Sequence, residues 1–85
     1  LNSEFLAKQA QALTTRLTSD AATPDVDRIR NAYLLLYGRP VTEDELQLGL
    51  AFLTAAPIPE EKSQLTPWQQ YVQALLGANE FTYLD

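Results

Sequence analysis

The sequence contains no cysteine, no histidine and no methionine. Without Cys there can be no disulfide, no thiolate zinc site and no iron–sulfur cluster. Without His the commonest metal ligand and the commonest general base are both missing. Without Met a side-chain axial ligand common in cytochromes is missing too. Positive charge is scarce: six Lys and Arg stand against eleven Asp and Glu, for a net charge of −5. Phosphate affinity rests on Lys and Arg, so nucleic acid and anionic membrane surfaces are poor partners. No apolar run approaches the roughly 20 residues that span a bilayer, so no membrane insertion is expected. No signal peptide and no Asn-x-Ser/Thr sequon is visible. These absences argue against an enzyme and against any resident cofactor or metal.

What is present reads as one helical domain over residues 1–85. A chain near this size buries roughly 60% of its unfolded surface, enough for a modest core without cross-links. It begins at Leu1 rather than Met, and the expectation is a C-terminal piece of a larger protein.

The best-defined local chemistry lies between Asn31 and Leu53. Val26, Ile29, Tyr33, Leu36 and Tyr37 recur at helical spacing, with Leu34 and Leu35 beside them. Gly38 then provides a left-handed cap, and Arg39 precedes Pro40, which disfavours helical dihedrals. Thr42 and Glu45 form the two halves of a capping box, and Glu43, Asp44 and Glu45 sit at the positive end of the new helix. Leu46, Gly49, Leu50 and Leu53 make its apolar stripe, with Phe52 beside it. Gly49 on that stripe marks either a close approach by a neighbour or a weak point costing about 1 kcal/mol against Ala.

Elsewhere the signals are similar in kind. Asn2 or Ser3 can cap a first helix, with Leu6, Ala10, Leu13 and Leu17 as its stripe. Thr23 and Pro24 read as cap and first residue of the second helix, followed by Asp25 and Asp27. A calcium reading of those two acids lacks the further oxygen ligands and the glycine that such loops need. Pro57 to Ser63 reads as an extended loop, open to proteolytic nicking. Thr66, Pro67 and Gln69 start the fourth helix with a second capping box. Trp68, Val72, Leu75, Leu76 and Asn79 form its stripe, with Tyr71 on the flank. The predicted fold is all-α: a four-helix antiparallel, bundle-like domain with helices at about 3–19, 24–37, 43–55 and 67–79. A tail from Phe81 packs back on it.

The order of three segments, Leu1 to Leu17, Arg28 to Leu53 and Ala74 to Asp85, resembles the C-terminal region of planctomycete-type secreted multidomain proteins. The pieces that carry this resemblance are Asn2-Ser3, Ala32-Tyr33, Gly38-Arg39-Pro40, Glu45-Leu46 and Asn79-Glu80-Phe81 with Tyr83. The resemblance implies export from the cytoplasm and a larger parent with a cytochrome-c-like domain near its N-terminus. The family's haem motif is Cys-x-x-Cys-His, and no position here matches it. The resemblance implies no reaction and brings no catalytic residues.

Six residues are the candidates for contact: Arg39, Trp68, Asn79, Glu80, Phe81 and Tyr83. Arg39 reads as a salt bridge or carbonyl cap at the helix break, or as an anion or partner contact. Trp68 is core, or an interface anchor if exposed. Asn79, Glu80, Phe81 and Tyr83 read as a clasp of the tail onto the turn between the second and third helices, or as a docking surface for a neighbouring domain. Tyr33 and the other tyrosines read as half-buried core with the hydroxyl at the rim. The acid clusters have no reason for a raised pKa and do not make a glycosidase pair.

The function expected is therefore a non-catalytic structural or interaction module. It packs on upstream domains of its parent chain or on a second copy. The alternative is one wall of a ligand- or carbohydrate-binding or active site completed by upstream domains, with Tyr33, Arg39, Trp68 and Glu80 as its residues.

Overall fold

The computed structural model describes residues 3–61 and 64–84, with side chains for 3–61 and 64–78. It contains four helices, α1 (Ser3–Leu17), α2 (Asp25–Tyr37), α3 (Glu43–Ala55) and α4 (Pro67–Leu84), and no strand among the described residues. The all-α, bundle-like class expected from the sequence is what forms.

The helix ends show where local rules act. α1 has Glu4 in its first turn and Arg16 in its last, complementing the helix dipole. It stops two residues short of expectation. There the Thr14 carbonyl takes both the N–H of Thr18, at 2.9 Å, and its hydroxyl, at 2.7 Å. The Ser19 hydroxyl donates to the Arg16 carbonyl at 3.1 Å. The Ser19 hydroxyl thus satisfies a carbonyl that another helical turn would have used.

The start of α2 corrects the sequence reading. Pro24, not Thr23, is the N-cap, with φ −65° and ψ 154°, and no side chain caps it. The reason lies upstream. The Asp20 carboxylate accepts from the N–H of Ala22 at 2.9 Å, and the Asp20 carbonyl from that of Thr23 at 3.1 Å. This turn holds Thr23 one residue too early to cap. Gly38 ends α2 at φ 66°, with its N–H on the Leu34 carbonyl at 3.1 Å.

The α3 cap is the reciprocal pair expected. The Glu45 N–H donates to Thr42 Oγ1 at 3.2 Å, and the Thr42 N–H to Glu45 Oε1 at 2.9 Å. At α4 the same exchange joins Thr66 and Gln69, at 3.2 and 2.9 Å. α4 then runs to Leu84, five residues beyond the expected end. Neither Gly nor Pro occurs after Gly77, so no residue there forces the backbone out of helical dihedrals. The segment read as a returning tail is helical.

α4 is the hub. It touches all three other helices and meets α1 most extensively, while α1 and α2 barely meet. Its Tyr71, Val72 and Leu75 join Ala10, Leu17, Ile29, Ala32, Tyr33 and Leu46 in the buried core. Tyr71, placed on the flank by its sequence, is 5% exposed and central. Leu13, Val26, Leu36, Leu50, Leu53 and Trp68 pack around this centre. Val72 and Ile29 are fully buried, and each such side chain contributes on the order of 1.5–3 kcal/mol.

Gly49 lies in this core for a steric reason. A Cβ built there would stand 2.6 Å from Tyr71 Oη and 3.0 Å from Ile29 Cδ1. Of the two readings of Gly49, close approach is the one realised.

Amide side chains bind the described parts of the loop after α3. Gln70 Nε2 donates to the carbonyls of Pro57 and Leu65, at 3.2 and 3.0 Å. The N–H of Glu60 donates to Gln64 Oε1 at 2.9 Å.

Candidate functional site

The break between α2 and α3 gathers the strongest electrostatics. Arg39 and Glu45 form a two-pronged ion pair: Nη1 to Oε1 at 2.9 Å and Nη2 to Oε2 at 2.8 Å. Arg39 Nη1 also donates to the Pro40 carbonyl at 3.2 Å. The guanidinium lies 5.4 Å from the Tyr33 ring centroid and 5.7 Å from that of Tyr37, within cation–π range. Those two rings meet edge to face at 5.1 Å. The Tyr37 hydroxyl donates to the Leu75 carbonyl at 2.8 Å, so the cluster is anchored to α4. The sequence set an internal salt bridge against a partner contact for Arg39. The geometry engages it with Glu45.

The titration shifts follow from these contacts. The Arg39 guanidinium, then the backbone N–H of Thr42, hold the Glu45 carboxyl down at about 2. The hydrogen bond to Glu45 raises Arg39 in turn. Burial raises Tyr33 and Tyr37. Burial raises Tyr71 most, with Tyr33 adding to it. The Tyr33 and Tyr71 phenols influence each other's ionisation, yet Tyr71 Oη is buried with no hydrogen bond of sound geometry. At neutral pH these directions keep Glu45 ionised and the three phenols protonated.

A second cluster lies where the N-terminal ends of α2 and α4 meet. Trp68 Nε1 donates to Asp25 Oδ1 at 3.0 Å. Arg28 Nη1 reaches the same oxygen at 3.3 Å, and its Nη2 donates to the Asp20 carbonyl at 3.0 Å. Trp68 also meets Tyr71 edge to face at 5.6 Å. The indole is therefore half-buried, with its polar edge occupied. The Asp25–Trp68 link was not legible in the sequence, because 43 positions separate the two. Tyr71 could have been found. Trp68, Tyr71, Val72 and Leu75 form an i, i+3, i+4, i+7 set.

Beside this cluster runs an open groove of about 400 Å³, lined among others by Thr14, Arg28, Leu53, Thr66 and Trp68. Arg28 Nε and Thr14 Oγ1 are unpartnered, but both are sealed from solvent and present nothing to a ligand there. A groove of about 470 Å³ separates α1 and α2, with Leu17, Leu34 and Leu35 among its walls. No cluster of three or more potential metal ligands occurs among the described residues. No helix is long and apolar enough to cross a membrane, among the described residues.

The remaining candidates, Asn79, Glu80, Phe81 and Tyr83, lie on the last turns of α4. Their side chains fall outside the described residues, so neither the clasp nor the docking reading is placed.

The apolar surface left uncovered was the least visible feature in the sequence. Leu34 is 54% exposed on α2, and Leu48 72% and Phe52 36% on α3. α3 places Leu46, Gly49, Leu50 and Leu53 inward; Leu48 is left in solvent, and Phe52, packed on Tyr71 on one side, leaves part of its ring open one turn away. No protein-family model matches the chain, and neither curated proteins nor solved structures offer a match.

Proposed function

We propose that this chain is a non-catalytic helical interaction module within a larger exported protein. It packs through α3 against domains upstream of it in the same chain. The observation that carries this reading is the apolar surface that α3 leaves uncovered. Leu48 is 72% exposed, and Phe52, one turn on, packs one side of its ring on Tyr71 and is 36% exposed on the other, outside a four-helix core that is already closed. Apolar surface left open on a helix whose inner face is already packed marks a contact with a further neighbour. Export is inferred from the family resemblance alone.

The test is a photoreactive residue in place of Leu48, in the protein as made in its own cells. The expected product joins position 48 to another segment of the same longer chain. A control probe at Gln9, polar and exposed on α1, gives no such product. Equal behaviour at the two positions would remove this reading.

The alternative, one wall of a ligand site, draws on the groove beside Trp68. It requires Trp68 fluorescence to respond to a bound saccharide or other small polar ligand.

A further inference from the structure

The outer face of α3 has a polarity as well as a shape. Asp44, Leu48 and Phe52 follow at four-residue spacing and so lie along one line of the helix. Glu43 and Gln47 flank that line, with Gln47 Nε2 donating to Glu43 Oε1 at 3.1 Å. All five residues are exposed. The anionic part of the face is at the N-terminal end of α3, and the apolar part follows it.

No Lys or Arg occurs from Pro40 to Glu61, and Arg39, immediately before, is engaged with Glu45. Glu43 and Asp44 have no ion-pair partner among the described residues. Phe52 is already held in place, its ring 5.5 Å from that of Tyr71 and tilted by 44°. Covering a ring that is fixed beforehand sacrifices little rotamer freedom.

Resting on the interaction role proposed above, we infer that the segment covering this face is a basic amphipathic helix running antiparallel to α3. Its apolar side chains, one turn apart, cover Leu48 and Phe52. Lys or Arg in its last turn meets Glu43 and Asp44. The antiparallel sense follows from charge: cations are favoured at a helix C-terminus, and the acids of α3 are at its N-terminus.

A second copy fits poorly. Antiparallel pairing of two α3 helices would set the Glu43–Asp44 end against Thr54 and Ala55, which bear no cation.

The test uses three labelled synthetic helical peptides and fluorescence anisotropy at about 0.15 M salt. The first carries Leu one turn apart and Lys and Arg in its last turn. The second keeps the Leu residues and replaces the cations by Glu. The third keeps the cations and replaces Leu by Gln. The first peptide should bind, and the other two should bind at least about tenfold more weakly. Leu48→Ala should weaken the first by about tenfold. Glu43→Gln with Asp44→Asn should weaken it about three- to tenfold.

Circular dichroism checks that each variant stays helical, as the exposure of these residues leads us to expect. Equal binding of the first two peptides would overturn the basic partner while leaving an apolar docking face. Binding that ignores Leu48→Ala, or no binding by the first peptide, would overturn the inference altogether. The photocrosslink at position 48 judges the interaction role separately.

Discussion

The Tyr71 hydroxyl rests on the backbone of Gly49, where a Cβ would lie only 2.6 Å from it. This fit between α3 and α4 reverses an ordinary rule. Ala is the better helix former by about 1 kcal/mol, yet Gly49→Ala should destabilise the fold by about 1–3 kcal/mol through overpacking. Urea unfolding measures it directly. A stabilised Ala variant would show that α3 and α4 separate at little cost.

Tyr71→Phe removes an oxygen that is buried without a hydrogen bond. It should be neutral or stabilising within about 1 kcal/mol, because an unsatisfied polar group returns its desolvation cost when deleted. In that background Gly49→Ala should lose only part of its penalty, since Ile29 Cδ1 and the Tyr71 ring still crowd the site. Full additivity in the double-mutant cycle would contradict the contact.

Glu45 joins a helix cap to an ion pair, and its titration reports both. Its folded pKa, about 2, lies below its ordinary value of 4.5. A depressed carboxyl stabilises the fold above the unfolded pKa, and that contribution is lost as pH falls through the folded one. Stability should therefore decline between about pH 5 and pH 2, and Glu45→Gln should flatten that part of the profile. In an Arg39→Gln variant, carboxyl NMR should place the Glu45 midpoint higher than in the parent. An unmoved midpoint would mean that the cap alone holds it down.

Thr42→Ala tests the other half of the same cap and should cost about 0.5–2 kcal/mol. Thr66→Ala, at the matching position of α4, should cost a similar amount. Chemical denaturation of the two variants tests whether both caps act in solution.

Trp68 gives an optical readout of the α2–α4 contact. Its indole N–H donates to Asp25 Oδ1, the oxygen that also receives Arg28. Asp25→Ala should shift Trp68 emission to the red and cost about 1 kcal/mol. Unchanged emission would show that the contact is not kept in solution.

The sequence by itself determined the features that close within a few residues. Gly38 ends α2 because it alone among nearby residues adopts φ 66° without a Cβ clash. The Thr42–Glu45 and Thr66–Gln69 caps form because donor and acceptor are three positions apart. Where one local signal displaced another, the reading slipped. The Asp20 turn took Thr23 away from capping. The last turns of α4 stayed helical because nothing interrupted them.

Tertiary structure decided what periodicity leaves degenerate. Spacing grouped Leu34 and Leu35 with the apolar part of α2, but the slight contact between α1 and α2 leaves them open. The sequence reading sets Tyr71 on a flank; its spacing with Trp68, Val72 and Leu75 allows it on the inner face, and the contacts of α4 with three helices put it at the centre. α3 carries apolar residues on two sides, and only the packing of α2 and α4 selects which side is core. That selection leaves Leu48, and the side of Phe52 turned away from Tyr71, facing water on the same side as Glu43 and Asp44. A helical sequence states which residues share a face, but whether a face is covered depends on contacts between helices distant in the chain.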